Sequence, residues 1–291
     1  MTRHEGAAMI WRLGKTLGKA LGPALRVALS GGLLSAGCAW AEVSRYCPAG
    51  GPIRFAHYEF GLIYSEARQG GVDADVQQEL QRRSGCAFQL SLQPRARTWS
   101  DLRSGHIDMA GSGVQTPERD GFAWFAHYVV EDNQVLLAHS VPPSVRSLED
   151  FERHPDLRMG VVRSFSFSPH YDAAVQRLRA AGRLYEVSDS ATLYRMFASR
   201  RFEAFIASQF LYGHYLKRFS IPVPRRIEDW DPDPATPSGL VIARHRFSAE
   251  QAQAWQRLVQ SLLDDGTLRR ILVKHLGEQG AERALYRPTP H

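Results

Sequence analysis

Trp99 to Arg119 reads WSDLRSGHIDMAGSGVQTPER, and how this stretch divides into elements decides the fold. A helix over 97–104 runs into Gly105, a residue that suits a left-handed helix end. Ile107-Asp108-Met109-Ala110 reads as a strand. Gly111-Ser112-Gly113 then reads as a small-residue loop, where glycine lets a backbone come close to a ligand. Pro117 suits the first turn of a new helix, and Thr116 stands at the cap position before it, where an anion is welcomed. Arg119 adds a guanidinium fork that matches a carboxylate. The whole stretch describes a cradle for a small anionic group at the carboxyl end of a strand.

Upstream, residues 53–57 and 88–92 read as strands, and Val72, Val76 and Leu80 place one face of a helix over 72–84, stopped by Gly85. Strand alternating with helix predicts a parallel sheet covered by helices, with ligands collecting at the carboxyl ends of the strands. The loop carrying Tyr58 and Phe60, residues 93–97 and residues 111–119 all fall at such ends. Downstream, a strand over 134–138 is broken by Val141-Pro142-Pro143, and a short helix starts at Ser147. Strands over 158–162, 184–187 and 204–207 then alternate with helices over 171–181, 191–199 and 210–219. A second α/β unit therefore begins near Asn133. A strand over 239–243 and helices over 249–263 and 268–275 close the chain.

The composition, 291 residues with 44% hydrophobic and 23% charged, is that of a globular protein of one large or two smaller domains. The formal charge of +6 is concentrated at the start: Arg3, Arg12, Lys15, Lys19 and Arg26 precede residue 42 against the single acid Glu5. Arg225-Arg226 and Arg269-Arg270 are too small a footprint for nucleic acid. Residues 1–41 read as a signal peptide: a basic start, an apolar run over 27–36, and small residues ending in Ala39-Trp40-Ala41. That run is shorter than a bilayer span. Met9 is an alternative start. Leu34-Ser35-Ala36-Gly37-Cys38 approaches a lipobox, with Ser35 where an aliphatic residue is usual. Cleavage after Ala41 leaves Cys47 and Cys86, a pair that reads as a disulfide in an oxidising compartment. They lie just before the first two strands, whose starts a parallel sheet brings together. The eleven histidines are scattered, and no Cys/His cluster, P-loop or dinucleotide fingerprint occurs, so neither metal nor cofactor is expected. Ser168, His170 and Asp172 lie on one short segment without a nucleophile elbow, which argues against a hydrolytic set.

Several motifs in order resemble the family-3 extracellular solute-binding proteins of amino-acid-type ABC transporters. They are Gly71-Val72-Asp73-Ala74-Asp75; Trp99, Leu102, Gly105, Ile107 and Asp108; Thr116-Pro117-Glu118-Arg119; Leu193, Arg200, Glu203 and Ala204; and Asp265-Gly266-Thr267-Leu268. The resemblance implies an α/β fold of two lobes, each a mostly parallel sheet flanked by helices, closing on a ligand about a two-strand hinge. The crossings are expected at 133–138 and 239–243. Lobe 1 is then 42–132 plus 244–291, and lobe 2 is 133–243. By position, the resemblance assigns Arg119 to a ligand carboxylate, backbone N–H groups near Val114 and Thr116 to its support, and Tyr58 and Phe60 to the ligand's walls. Ser164 and Phe165 approach from lobe 2. Val114 stands where a hydroxyl residue is common. Ser208 stands where many amino-acid binders place an aspartate for the α-ammonium, a charged bond worth about 1.5–3 kcal/mol. Glu59 and Glu66 are alternative sources of that charge. Trp99 and Asp108 read as structural.

The implied function is periplasmic capture of a small polar, carboxylate-bearing solute by a monomer that partners a membrane ABC permease, with no catalytic residue. Two alternatives use the same fold. One is a cyclohexadienyl dehydratase-like enzyme, needing a buried acid for which Glu59, Glu66 and Glu186 are candidates. The other is a ligand-sensing partner of a separate receptor.

Overall fold

The computed structural model describes residues 45–221 and 226–288, so the expected signal segment, Met9 and Cys38 lie outside the described residues. The first apolar run, β1 (Ile53–His57), is buried almost throughout and takes parallel neighbours on both edges. These are β2 (Phe88–Leu92) and β3 (Met109–Val114). The sheet continues through β10 (Thr236–Ala243), antiparallel to its neighbours, to β4 (Ala123–Glu131), giving the order β2-β1-β3-β10-β4. α1 (Val72–Ser84) buries Val72, Val76 and Leu80 against this sheet and ends at Gly85 with φ 70°. α8 (Ala249–Asp264), opened by a Ser248/Gln251 capping box, adds Trp255, Leu258 and Leu262 to the same core. α9 (Thr267–Ala284) adds Leu268 and Leu272, each large apolar side chain contributing about 1.5–3 kcal/mol on full burial. Asp75 accepts from Lys274 and His275, tying α1 to α9.

The second sheet has the order β7-β6-β8-β5-β9. Its strands are β5 (Asn133–Leu137), β6 (Met159–Val162), β7 (Leu184–Val187), β8 (Ala204–Ser208) and β9 (Arg226–Glu228). β6 runs parallel to β7 and β8, and β5 antiparallel to β8 and β9. α4 (Leu148–Arg153), α5 (Pro169–Ala180), α6 (Ser190–Ala198) and α7 (Gln209–Arg218) accompany it. Their side-chain caps are Ser147, Ser168, Asp189 and Ser208, each accepting from a backbone N–H of the first turn. Two α/β lobes are the architecture expected from the alternation; each sheet is mixed, with two parallel and two antiparallel pairings, where the alternation predicts parallel strands.

Three boundaries differ from the sequence expectation. Gly111-Ser112-Gly113 is no loop but the interior of β3. A Cβ at Gly111 would overlap the Asp73 carboxylate, and one at Gly113 would overlap Val241 and press on Trp99. These glycines are demanded by packing rather than by a ligand's approach. Residues 123–131, to which no strand was assigned, form β4; aromatic residues and His127 interrupt its apolar pattern. The expected second crossing at 239–243 is also corrected. β10 belongs wholly to the first sheet, so the chain has returned to lobe 1 by Thr236 rather than at 244. Its run Gly-Leu-Val-Ile-Ala is buried because it is sandwiched between β3 and β4, and Gly239 admits the close approach of the β4 backbone at a register shift. The crossing to lobe 2 falls at Asp132, between β4 and β5.

Cys47 and Cys86 are joined in a disulfide across a sequence separation of 39, with Cα atoms 5.4 Å apart at the starts of β1 and β2. Replacing both by serine is expected to lower unfolding free energy by about 3–4 kcal/mol, measured by denaturant titration, and added reductant should then leave the double variant unaffected.

Candidate functional site

The carboxyl ends of β1, β3 and β6 and the first turn of α2 (Arg95–Ser104) converge between the lobes. On α2, Arg95 and Trp99 are four residues apart and share a helix face. α3 (Pro117–Asp120) is a single turn capped by Thr116, whose hydroxyl accepts from the Arg119 N–H. This turn carries the Arg119 guanidinium over the Trp99 ring, 3.8 Å from its centre. Arg119 Nη1 donates to the Val114 carbonyl at 2.7 Å, and Nη2 donates across the cleft to the Ser164 carbonyl of lobe 2 at 3.1 Å. Burial, and then the charge of Arg95, lower the Arg119 pKa to about 9.

Arg95 is 3% exposed. Its guanidinium carbon lies 4.6 Å from the centre of the Tyr58 ring and 4.2 Å from that of Phe165, with Phe60 at 5.6 Å. Among the described residues no acceptor lies within hydrogen-bond reach of its Nε, Nη1 or Nη2. The Trp99 Nε1 and the Glu131 Oε1 are likewise buried without partners. Beneath them Tyr58 donates to the Gly111 and Ser112 carbonyls. Ser112 and Tyr128 both donate to Asp73, the first aspartate of the G-x-D-x-D motif. Burial raises Asp73 to about 6, against the pull of those two hydrogen bonds. Burial likewise raises Glu131, at the end of β4, to about 7 although the charge of Arg95 opposes it.

Lobe 2 contributes the 163–168 loop. Ser164 holds a left-handed φ of 65°, which turns its carbonyl toward Arg119. Asp172 anchors the loop by accepting from Ser166 Oγ and the Phe167 N–H. Further contacts close the lobes together: Tyr215 donates to Glu59 at 2.8 Å, the Leu62 N–H to the Phe210 carbonyl at 3.1 Å, and Phe60 packs on Phe165. A cavity of about 640 Å³ lies between the lobes, with Trp99, Thr116 and Arg119 on one side and Ser164, Phe165 and Ser166 on the other. A second, of about 310 Å³, is lined by Glu59, Glu66, Arg95, Phe165, Asp189 and Ser190.

Of the residues singled out from sequence, Arg119, Thr116, Ser164 and Phe165 line the larger cavity, and Val114 meets it through its carbonyl bond to Arg119. Tyr58 and Phe60 are buried and act as platforms for Arg95. Ser208 caps α7, its hydroxyl accepting from the Phe210 N–H and bonding the Gln209 side chain. Glu59 is held by Tyr215, and Glu186 is paired at the surface with Arg179. Ser168 caps α5 and Asp172 anchors its loop, so neither belongs to a hydrolytic set. Trp99, expected in the core, packs against Leu102, Ala110 and Val241 of the core and also forms the stacking floor under Arg119. Asp108 is structural, bonding Arg54 through both carboxylate oxygens. Sequence reasoning missed Arg95 and Glu131. Arg95 carried one usable signal, its place at a strand's carboxyl end within 93–97; Glu131 carried none without β4.

Two α/β lobes thus meet over a cationic, aromatic-walled cleft. Residues 55–278 match the bacterial extracellular solute-binding proteins, family 3, and the chain belongs to that family. It is 24% identical over 229 residues to the virulence sensor protein BvgS of Bordetella pertussis, covering 78% of this chain and 18% of that protein. The chain thus spans less than a fifth of that relative's length. Its fold is similar to an ancestral arginine-binding protein bound to arginine, with TM-score 0.65, 18% identity and coverage of 78% of this chain and 99% of the other. It is similar also to a histidine kinase sensor domain resembling periplasmic binding proteins, with TM-score 0.66, 14% identity and coverage of 81% and 98%.

Folded Glu131, at about 7, keeps a proton that the unfolded chain releases near 4.5. Its contribution to stability is complete below about pH 4.5 and is lost as pH rises through 7. Glu131→Gln carries no such loss. The melting temperature of the variant relative to wild type should therefore climb between pH 5 and pH 8 and then level off, as followed by differential scanning fluorimetry.

Proposed function

We propose that this protein captures a small polar, carboxylate-bearing solute between its lobes in the periplasm and presents the closed form to a membrane ABC permease. The observation that carries the reading is the cavity shared by both lobes, with Arg119 of lobe 1 bonded to the Ser164 carbonyl of lobe 2. A ligand that touches both walls favours closure by the difference in its contacts to the open and closed forms. Arg119 is the assigned carboxylate partner, with Thr116, Ser164 and Phe165 around it; Tyr58 and Phe60 shape the wall from behind. The absence of a carboxylate at Ser208 turns the reading away from a standard amino acid as the obligatory ligand. No covalent chemistry is invoked.

A second reading concerns only the partner. The likeness to BvgS and to a histidine kinase sensor domain supports a ligand reporter that acts through a separate receptor. Recovery of the ligand-loaded protein from membranes with an ABC permease supports import, and recovery with a sensor kinase supports reporting.

A thermal-shift and calorimetric screen of organic acids and amino acids tests the capture itself. Arg119→Ala should weaken the best carboxylate ligand roughly ten- to hundredfold, as loss of a charged hydrogen-bonding group does. Unchanged affinity would remove Arg119 from the site.

A further inference from the structure

Arg95 is the least expected group in the cleft. Rings from both lobes, Tyr58 and Phe165, cover the faces of its guanidinium. Stacking satisfies those faces and leaves the in-plane N–H donors, which are the directional part of the group. None of its three nitrogens has an acceptor among the described residues, although the side chain is 3% exposed. A buried charged donor left unpaired is among the most unfavourable arrangements in a protein. The nearby carboxylates do not relieve it: Asp73 is engaged by Tyr128 and Ser112, Asp172 by Ser166 and Phe167, and Glu59 by Tyr215, while Glu131, buried at the end of β4 and close enough to be acted on by the charge of Arg95, makes no hydrogen bond to it. Arg119, close enough for the two charges to act on each other, donates to two backbone carbonyls. One carboxylate on Arg119 would neutralise one of two guanidinium charges.

The two guanidinia also line different chambers. Arg119 lines the larger cavity and Arg95 the smaller, and Phe165 forms a wall of both. Resting on the reading of this cleft as a carboxylate-binding site, we infer that the solute carries two anionic groups, one received by Arg119 and the second by the in-plane edge of Arg95. A planar carboxylate is the natural complement of that edge, since it accepts two parallel N–H bonds. Arg95 is thus the residue that selects diacids over monoacids.

Calorimetry with matched pairs tests this: glutarate against butyrate, and L-glutamate against L-2-aminobutyrate. The two pairs separate plain dicarboxylates from acidic amino acids, and a diacid preference in either supports the assignment. Wild type should bind the diacid at least about tenfold tighter than its monoacid, and Arg95→Gln should shrink that ratio to about threefold or less. Arg95→Lys, which keeps the charge and loses the fork, should retain part of the preference. No diacid preference in either pair overturns the assignment, as does a preference that Arg95→Gln leaves intact. In both cases a monoacid still bound through Arg119 leaves the solute-capture reading standing, whereas no binding of any acid overturns both. If Arg95→Gln does not fold, the wild-type pairs and Arg95→Lys still decide.

Discussion

One buried carboxylate organises the face of lobe 1. Asp73 sits in the first turn of α1, where the helix dipole favours a negative charge, and receives the hydroxyls of Ser112 and Tyr128. Ser112 is thereby held at a φ of 40°, a strained position for a residue with a side chain. Its carbonyl and that of Gly111 then accept from Tyr58, whose ring is one of the plates around Arg95. The chain of contacts runs from a helix start, through the end of β3, to the wall of the cleft. Without Asp73 there is no reason for glycine at position 111 and no fixed orientation for Tyr58.

On that base the cleft concentrates positive charge where water is scarce. Arg119 is stacked on Trp99 and bonded to carbonyls of both lobes, while Arg95 is stacked between lobes with its donors unmet among the described residues. Stacking orients a guanidinium at small entropic expense but does not neutralise it. The arrangement is therefore specific in geometry and incomplete in charge, the condition under which an anionic solute gains most from closure. The raised affinity of Glu131 and Asp73 for protons belongs to the same low-dielectric environment.

Much of this was legible in the residues alone. The alternation of apolar runs with 3.6-period faces determined two α/β units, because a sheet buried on both sides and a helix buried on one leave different periods. Thr116-Pro117 determined a capped turn and put Arg119 at the end of a strand, since capping is local chemistry. The placement of Cys47 and Cys86 ahead of adjacent parallel strands determined their pairing. What only the tertiary structure decided depends on neighbours distant in sequence. Gly111 and Gly113 look like a flexible loop until Asp73, Val241 and Trp99 are packed against them. The strand read at 239–243 is taken as a crossing until β3 and β4 claim the two edges of β10. Ser208 reads only as a ligand position, and the structure adds that it caps α7. Arg95 reads as an arginine at the start of a helix, and the tertiary structure buries it among Tyr58, Phe60 and, from the other lobe, Phe165, with no partner among the described residues. Local periodicity and capping propagate over a few residues and are written in the chain; burial and charge pairing are set by what the other lobe brings into contact.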